Sequence, residues 1–207
     1  MKQRLGILGG TFDPPHYAHL ILAQHAYEEL HLDRVLFVPA GITPHKDITR
    51  TPVEDRLAML RLAVDERPEF SISRVEVDRP GPHYTIDTVR ILQDNHPDSE
   101  LFFIMGGDVF RDLPNWDRPQ ELFATCKIAV AVMRRPGVDG HDLRSNMHEN
   151  VIPGLQNYTI MLHSPLVEFS STEIVDRLAQ GRSVRYMVPP EVIEYIDTHG
   201  LYRENHV

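Results

Sequence analysis

Short apolar runs alternate with helix-patterned segments along most of this chain, and that alternation constrains its fold more than any other feature. Arg4 to Leu8, Arg34 to Pro39, Leu101 to Met105 and Lys127 to Met133 read as strands. Phe70 to Val77 alternates apolar and polar residues and reads as a further strand, and Tyr158 to Leu162 as a short last one. Helices fall between them: Tyr17 to Leu30, a segment with Leu57, Leu60, Ala63 and Val64 on one face, and Thr85 to Asn95 with Ile86, Val89 and Leu92 spaced for burial. Shorter helices are predicted over Asp108 to Leu113 and Arg118 to Thr125. Thr51-Pro52-Val53-Glu54 and Ser170-Ser171-Thr172-Glu173 read as capping boxes; Gly181 ends the second helix, and Pro189-Pro190 opens a last one to His199. His141 to Met147 carries a weak helical pattern. Strands alternating with helices predict an α/β fold built on a parallel sheet.

Composition narrows the function. A chain of 207 residues suffices for one domain: an α/β core to about residue 165 and a small C-terminal helical part over about 166–207. The net charge of −9, with no basic run, argues against non-specific nucleic-acid binding. Cys126 is the only cysteine, so no intrachain disulfide forms, which fits a reducing compartment. No apolar run approaches a membrane span and the N-terminus reaches its strand at once, so a cytoplasmic protein is expected.

The chemistry gathers at the first strand. Gly9-Gly10 lets the backbone turn and approach a ligand, Asp13-Pro14-Pro15 must be a loop, and His16 and His19 fall where that loop enters a helix. Three residues apart, the two rings can face one side, at the carboxyl end of a strand where open α/β sheets bind ligands. Two such histidines could equally be caps or surface residues. A zinc site is the poorer reading, with one cysteine and no third ligand near in sequence. Neither the Walker pattern nor the dinucleotide fingerprint is present.

Further motifs follow the other strands. Lys46 lies on a proline-held loop after the second, and by itself reads as a solvated lysine. Gly106-Gly107-Asp108 repeats the glycine pair after a strand, with Asp108 a natural N-cap. Trp116, the only tryptophan, would fill a core edge or stack on a flat ring. Tyr84 and Thr85 stand at a helix start, whose unpaired N–H groups can receive a carboxylate. Ser170, Ser171 and Thr172 form a second such start, suited to phosphate.

Taken together, Gly9-Gly10-Thr11-Phe12-Asp13-Pro14-Pro15-His16, Arg79 to Thr88, Met105 to Trp116 and Phe169 to Val175 resemble, in order, the motifs of bacterial nicotinate-mononucleotide adenylyltransferases, of the nucleotidyltransferase superfamily with a His-x-Gly-His signature. Four positions depart from the pattern: Ala18 replaces the motif glycine, Thr43 a proline, His83 a small hydroxyl residue and Val175 an arginine.

The resemblance implies a doubly wound, Rossmann-like nucleotidyltransferase domain. It implies adenylyl transfer from ATP to nicotinate mononucleotide, giving nicotinate adenine dinucleotide and pyrophosphate in NAD biosynthesis, with Mg²⁺ accompanying the ATP. His16 and His19 would be catalytic. ATP would meet Gly9, Gly10, Thr11, Phe12, His16, His19, Gly106, Asp108, Ser170, Ser171 and Thr172. Nicotinate mononucleotide would meet Lys46, Tyr84, Thr85, Trp116 and Arg134. No metal site is built from the protein itself, and neither nucleic acid nor membrane is a partner; a homodimer is compatible. The alternatives are an adenylyltransferase for nicotinamide mononucleotide or another phosphorylated acceptor, and a nucleotide-binding protein without turnover. Pyrophosphate release with different acceptors separates these readings.

Overall fold

The computed structural model describes residues 2–42, 51–131, 148–165, 167 and 169–203. Six strands form one sheet: β1 (Gln3–Gly10), β2 (Arg34–Pro39), β3 (Phe70–Ile72), β4 (Ser99–Gly106), β5 (Lys127–Ala131) and β6 (Thr159–Leu162). Their order is β3-β2-β1-β4-β5-β6 and every neighbouring pair is parallel. The helices are α1 (Tyr17–Glu29), α2 (Val53–Val64), α3 (Thr85–Asn95), α4 (Gly107–Asp112), α5 (Pro119–Thr125), α6 (Ser171–Ala179) and α7 (Pro190–His199). This is the parallel α/β sheet that the alternation predicts, in the doubly wound arrangement that the resemblance implies.

Each central strand serves two cores, because successive side chains leave opposite faces of the pleat. On one face Leu5, Ile7, Leu36, Val38, Leu101, Phe103 and Met105 meet Ile86, Val89 and Leu92 of α3 and Leu122 and Phe123 of α5. On the other, Leu8, Val35, Phe37, Phe102 and Ile104 meet Ala23 and Ala26 of α1 and Leu60 and Val64 of α2. Burying each such side chain contributes roughly 1.5–3 kcal/mol, so β1 and β4 are fixed at the centre and their ends are rigid. A third cluster joins Met59 of α2 to Ile174 of α6 and Val192 and Ile196 of α7. The C-terminal helices therefore pack directly on the helix that follows β2. Among the described residues no helix is long and apolar enough to cross a membrane.

Two local expectations are corrected. The third strand stops at Ile72 instead of Val77. Its partner β2 runs out at Pro39, which has no N–H to offer, and Arg74 turns the chain by bonding Asp78 at 2.9 Å and Glu54 at 3.0 Å. Thr51 does not cap α2: the N-cap is Pro52, with no side-chain bond, and Thr51 is buried and bonded to Tyr202. Ser170 does cap α6, its Oγ accepting the Glu173 N–H at 3.2 Å. Gly181 and Gly200 follow α6 and α7 with φ of 67° and 63°, the left-handed geometry that ends a helix. The segment His141 to Met147 lies outside the described residues, as do the last two residues of the expected fifth strand.

Candidate active site

β1 and β4 lie side by side, but the chain leaves them toward opposite faces, so a crevice opens at their carboxyl ends. Gly9 is exposed there, and a Cβ on it would meet only the Phe103 ring at 3.6 Å, an ordinary contact. Packing within the protein does not demand glycine at this position, and the bare backbone there is open to close approach.

Beyond Gly10 the chain makes a buried loop to His16. Phe12 is wholly buried and sits at φ 49°, a left-handed conformation that costs a non-glycine residue about 1–3 kcal/mol. His16 is the N-cap of α1, and its backbone N–H donates to Nδ1 of His19 at 3.3 Å. The rings stack with centroids 3.7 Å apart, and Phe12 meets His19 edge-on at 4.9 Å. By accepting at Nδ1, His19 is fixed as the neutral tautomer that carries its proton on Nε2. Burial lowers the His16 pKa to about 4. It also drives that of His19 well below the usual histidine range, with the His16 charge acting in the same direction. Burial thus keeps both imidazoles neutral. Nδ1 of His16 is buried without a hydrogen-bond partner among the described residues, an orphan that costs about 1–3 kcal/mol until something meets it. Both the cap and the ligand readings of these histidines have a physical basis: His19 caps His16 through Nδ1, which leaves Nε2 as its donor.

The serine-rich start of α6 comes to the same place. Phe169 packs edge-on against His16 at 5.4 Å, and Ser171 Oγ donates to the Pro14 carbonyl at 3.0 Å. Ser170 and its carbonyl occupy the N–H groups of Glu173 and Ile174, which leaves those of Ser171 and Thr172 without an intrahelical partner. Ala18 sits half-buried in the first turn of α1, and Val175 is buried in α6.

Across the crevice, Gly106 rather than Asp108 is the N-cap of α4, and the Asp108 carboxylate is exposed. Phe103, which lies under Gly9, also meets Trp116 edge-on at 5.9 Å. Half-buried Trp116 and Tyr84 pack on one core cluster, Tyr84 as the N-cap of α3 with Thr85 as its first residue. His83, just before them, is buried. Its Nδ1 faces the Ile42 carbonyl at 3.2 Å and its Nε2 the Arg79 carbonyl at 3.1 Å. Both ring nitrogens are thereby committed to backbone. Lys46, Arg134 and Thr43 lie outside the described residues.

Three contributors carry no obvious mark in the sequence. Arg56 of α2 is buried and donates to the carbonyls of Thr11 at 2.7 Å and Ala40 at 2.9 Å, joining the loops after β1 and β2. Its place one turn before Leu60, on the apolar stripe of α2, is the signal that could have found it. Tyr202 donates to Asp13 across 189 residues of sequence; burial and then that carboxylate keep its phenol protonated, raising its pKa. Glu76 accepts from the Gly41 N–H at 3.2 Å and the Thr88 hydroxyl at 2.7 Å, tying the loop after β2 to α3.

Comparison with known proteins agrees with this geometry. A model of the cytidylyltransferase-like family matches residues 7–177. A protein of Thermomicrobium roseum named "Probable nicotinate-nucleotide adenylyltransferase" is 47% identical over 97% of this chain and 92% of its own length. A Thermus thermophilus protein of the same name is 48% identical over 97% of this chain and all of its own. The fold matches that of Plasmodium falciparum nicotinic acid mononucleotide adenylyltransferase complexed with NaAD, with a TM-score of 0.76, 18% identity and 97% of both chains covered. By these criteria the chain belongs to the cytidylyltransferase-like nucleotidyltransferases and, among them, to the nicotinate-nucleotide adenylyltransferases.

Proposed function

We propose that this protein transfers the adenylyl group of ATP to nicotinate mononucleotide, giving nicotinate adenine dinucleotide and pyrophosphate. The observation that carries this reading is the stacked, neutral His16–His19 pair beside the start of α6, at the carboxyl ends of β1 and β4. It is supported by full-length relatives at 47% and 48% identity that bear that activity's name.

An oxygen of the acceptor's phosphate attacks the α-phosphorus of ATP in line, and the bond to the pyrophosphate oxygen breaks. The attacking oxygen is already anionic, so the protein needs neither a covalent intermediate nor a strong general base. Its work is positioning and charge stabilisation. His19 donates from Nε2 to phosphate oxygens, and His16 from its own ring. An arriving polyanion favours the protonated form of both, opposing the burial that otherwise keeps them neutral. The Ser171 and Thr172 N–H groups hold the outer phosphates. Gly9, Gly10, Thr11 and Phe12 line the bare backbone over which the nucleotide lies, with Gly106 and Asp108 opposite. Tyr84, Thr85 and Trp116 form the pyridine pocket, and Lys46 and Arg134 complete the acceptor's phosphate contacts.

Among the described residues no group of three or more histidines, cysteines or carboxylates could cage a metal. Mg²⁺ brought in by the triphosphate and largely hydrated needs no such cage, and exposed Asp108 in the first turn of α4 would be the carboxylate to meet it. When bound, the ion neutralises charge on the phosphate oxygens.

The test is pyrophosphate release from ATP and Mg²⁺ with nicotinate mononucleotide, nicotinamide mononucleotide and a phosphopantetheine in parallel. Fastest turnover with the first is expected. Nucleotide binding with no turnover on any acceptor would leave only a binding protein.

A further inference from the structure

The loop that carries His16 cannot hold itself in shape. Pro14 and Pro15 offer no N–H, and Phe12 is kept at φ 49°. A strained, buried residue persists only where its surroundings over-determine it. The surroundings here are side chains and backbone from distant parts of the chain. Arg56 holds the Thr11 carbonyl at 2.7 Å, Ser171 the Pro14 carbonyl at 3.0 Å, and the Met187 carbonyl receives the Tyr17 N–H at 2.9 Å. Tyr202, just past α7, reaches the loop's own side chain, donating to Asp13, and is bonded in turn to Thr51 before α2. Burial lowers the pKa of Arg56, and the nearby Asp13 carboxylate opposes that shift.

We infer that Tyr202 is a positioning residue for the adenylyl transfer: through Asp13 it fixes the loop that sets the His16–His19 pair. This rests on the reading given under Proposed function. The C-terminal part is then more than a cover for α2, because its last turn determines where the imidazoles stand. Its hydroxyl touches neither substrate nor the reacting atoms.

The structure contains its own control. Tyr195 of α7 makes the same type of bond, from its hydroxyl to Asp55 of α2 at 2.8 Å, but that carboxylate is not part of the loop. Loss of either hydroxyl weakens the docking of the C-terminal part; only loss of the Tyr202 hydroxyl loosens the histidines.

Tyr202→Phe and Tyr195→Phe are to be compared with wild type for melting temperature, for kcat and KM, and for the ring signals of His16 and His19 in proton–carbon NMR spectra. Misplacement of the histidines by a fraction of an ångström predicts a fall in kcat of about tenfold for Tyr202→Phe, with the KM for nicotinate mononucleotide held within about twofold. Its two histidine signals move. Tyr195→Phe melts earlier by a similar amount but keeps kcat and both signals. The inference is overturned if the two variants lose kcat alike, or if Tyr202→Phe keeps wild-type kcat and histidine signals. If Tyr202→Phe does not fold, Thr51→Val, which removes the other hydroxyl at Tyr202, is read in the same way against Tyr195→Phe. A wild type that transfers to no acceptor refutes the proposed reaction alone; the histidine signals then still decide whether Tyr202 positions the pair.

Discussion

The His19 ring accepts the backbone N–H of His16 at 3.3 Å while the two rings stack 3.7 Å apart, so one residue both closes the start of α1 and keeps Nε2 as its N–H donor. That double use makes His19 the more informative of the pair to remove. His19→Ala is expected to fold, since an exchanged cap costs about 1 kcal/mol. It loses a transition-state donor, typically about 3 kcal/mol or on the order of a hundredfold in rate. Single-turnover rates with ATP and nicotinate mononucleotide check this; turnover within a few-fold of wild type removes His19 from the chemistry.

The neutral pair also makes stability depend on pH. A histidine whose folded pKa is lowered binds its proton more readily when unfolded, so acid favours the unfolded chain. For His16 the loss begins as pH falls through the unfolded value of 6.5 and is complete below the folded value of about 4. At about 1.4 kcal/mol per unit, this amounts to roughly 3 kcal/mol. Urea midpoints measured from pH 7.5 down to pH 4 should fall, and His16→Gln should flatten that limb. A wild-type midpoint constant across the window contradicts the neutral assignment.

The acceptor pocket should prefer the acid to the amide. Thr85 begins α3, and its early N–H groups are donors that suit a carboxylate. A carboxamide NH₂ facing them leaves a buried group unpaired, at roughly 1–3 kcal/mol, or about tenfold or more in kcat/KM. His83 cannot reverse the preference by accepting from the amide, because both its nitrogens already face carbonyls. The ratio of kcat/KM for nicotinate over nicotinamide mononucleotide measures this, and a ratio of one or less would falsify the pocket assignment.

Gly41 and His83 form a coupled pair. A Cβ at Gly41 would stand 2.5 Å from Cε1 and 2.6 Å from Nδ1 of the buried imidazole, with the Glu76 carbonyl oxygen at 3.0 Å on the other side. Gly41→Ala must therefore push the ring off the Ile42 and Arg79 carbonyls, an overpacking cost of about 1–3 kcal/mol. A lowered melting temperature and a raised KM for the acceptor are expected. The double variant with His83→Ser should recover much of both; a double variant as unstable as the single one refutes the coupling.

How much of this could be read beforehand follows the range of the interactions. β2 and α3 were legible to the residue, because a continuous apolar run or a 3.6-residue stripe is recorded locally. The alternation from Ser73 to Val77 imitates a strand, and only the end of β2 at Pro39 explains why it is not one. His16, His19 and the start of α6 were marked by their glycine, proline and serine contexts. Their meeting through Phe169 and Ser171, about 155 residues onward, is a tertiary fact. Thr51 misled for the same reason: its hydroxyl goes to Tyr202, a partner no local pattern announces.

The burial that keeps His16 and His19 uncharged has a thermodynamic consequence for nucleotide capture. If the triphosphate restores their protons, binding is coupled to proton uptake from solution. The heat of ATP binding would then vary with the ionisation enthalpy of the buffer, and apparent affinity would strengthen as the medium becomes more acidic. The protein would in effect be a proton acceptor that only its substrate switches on.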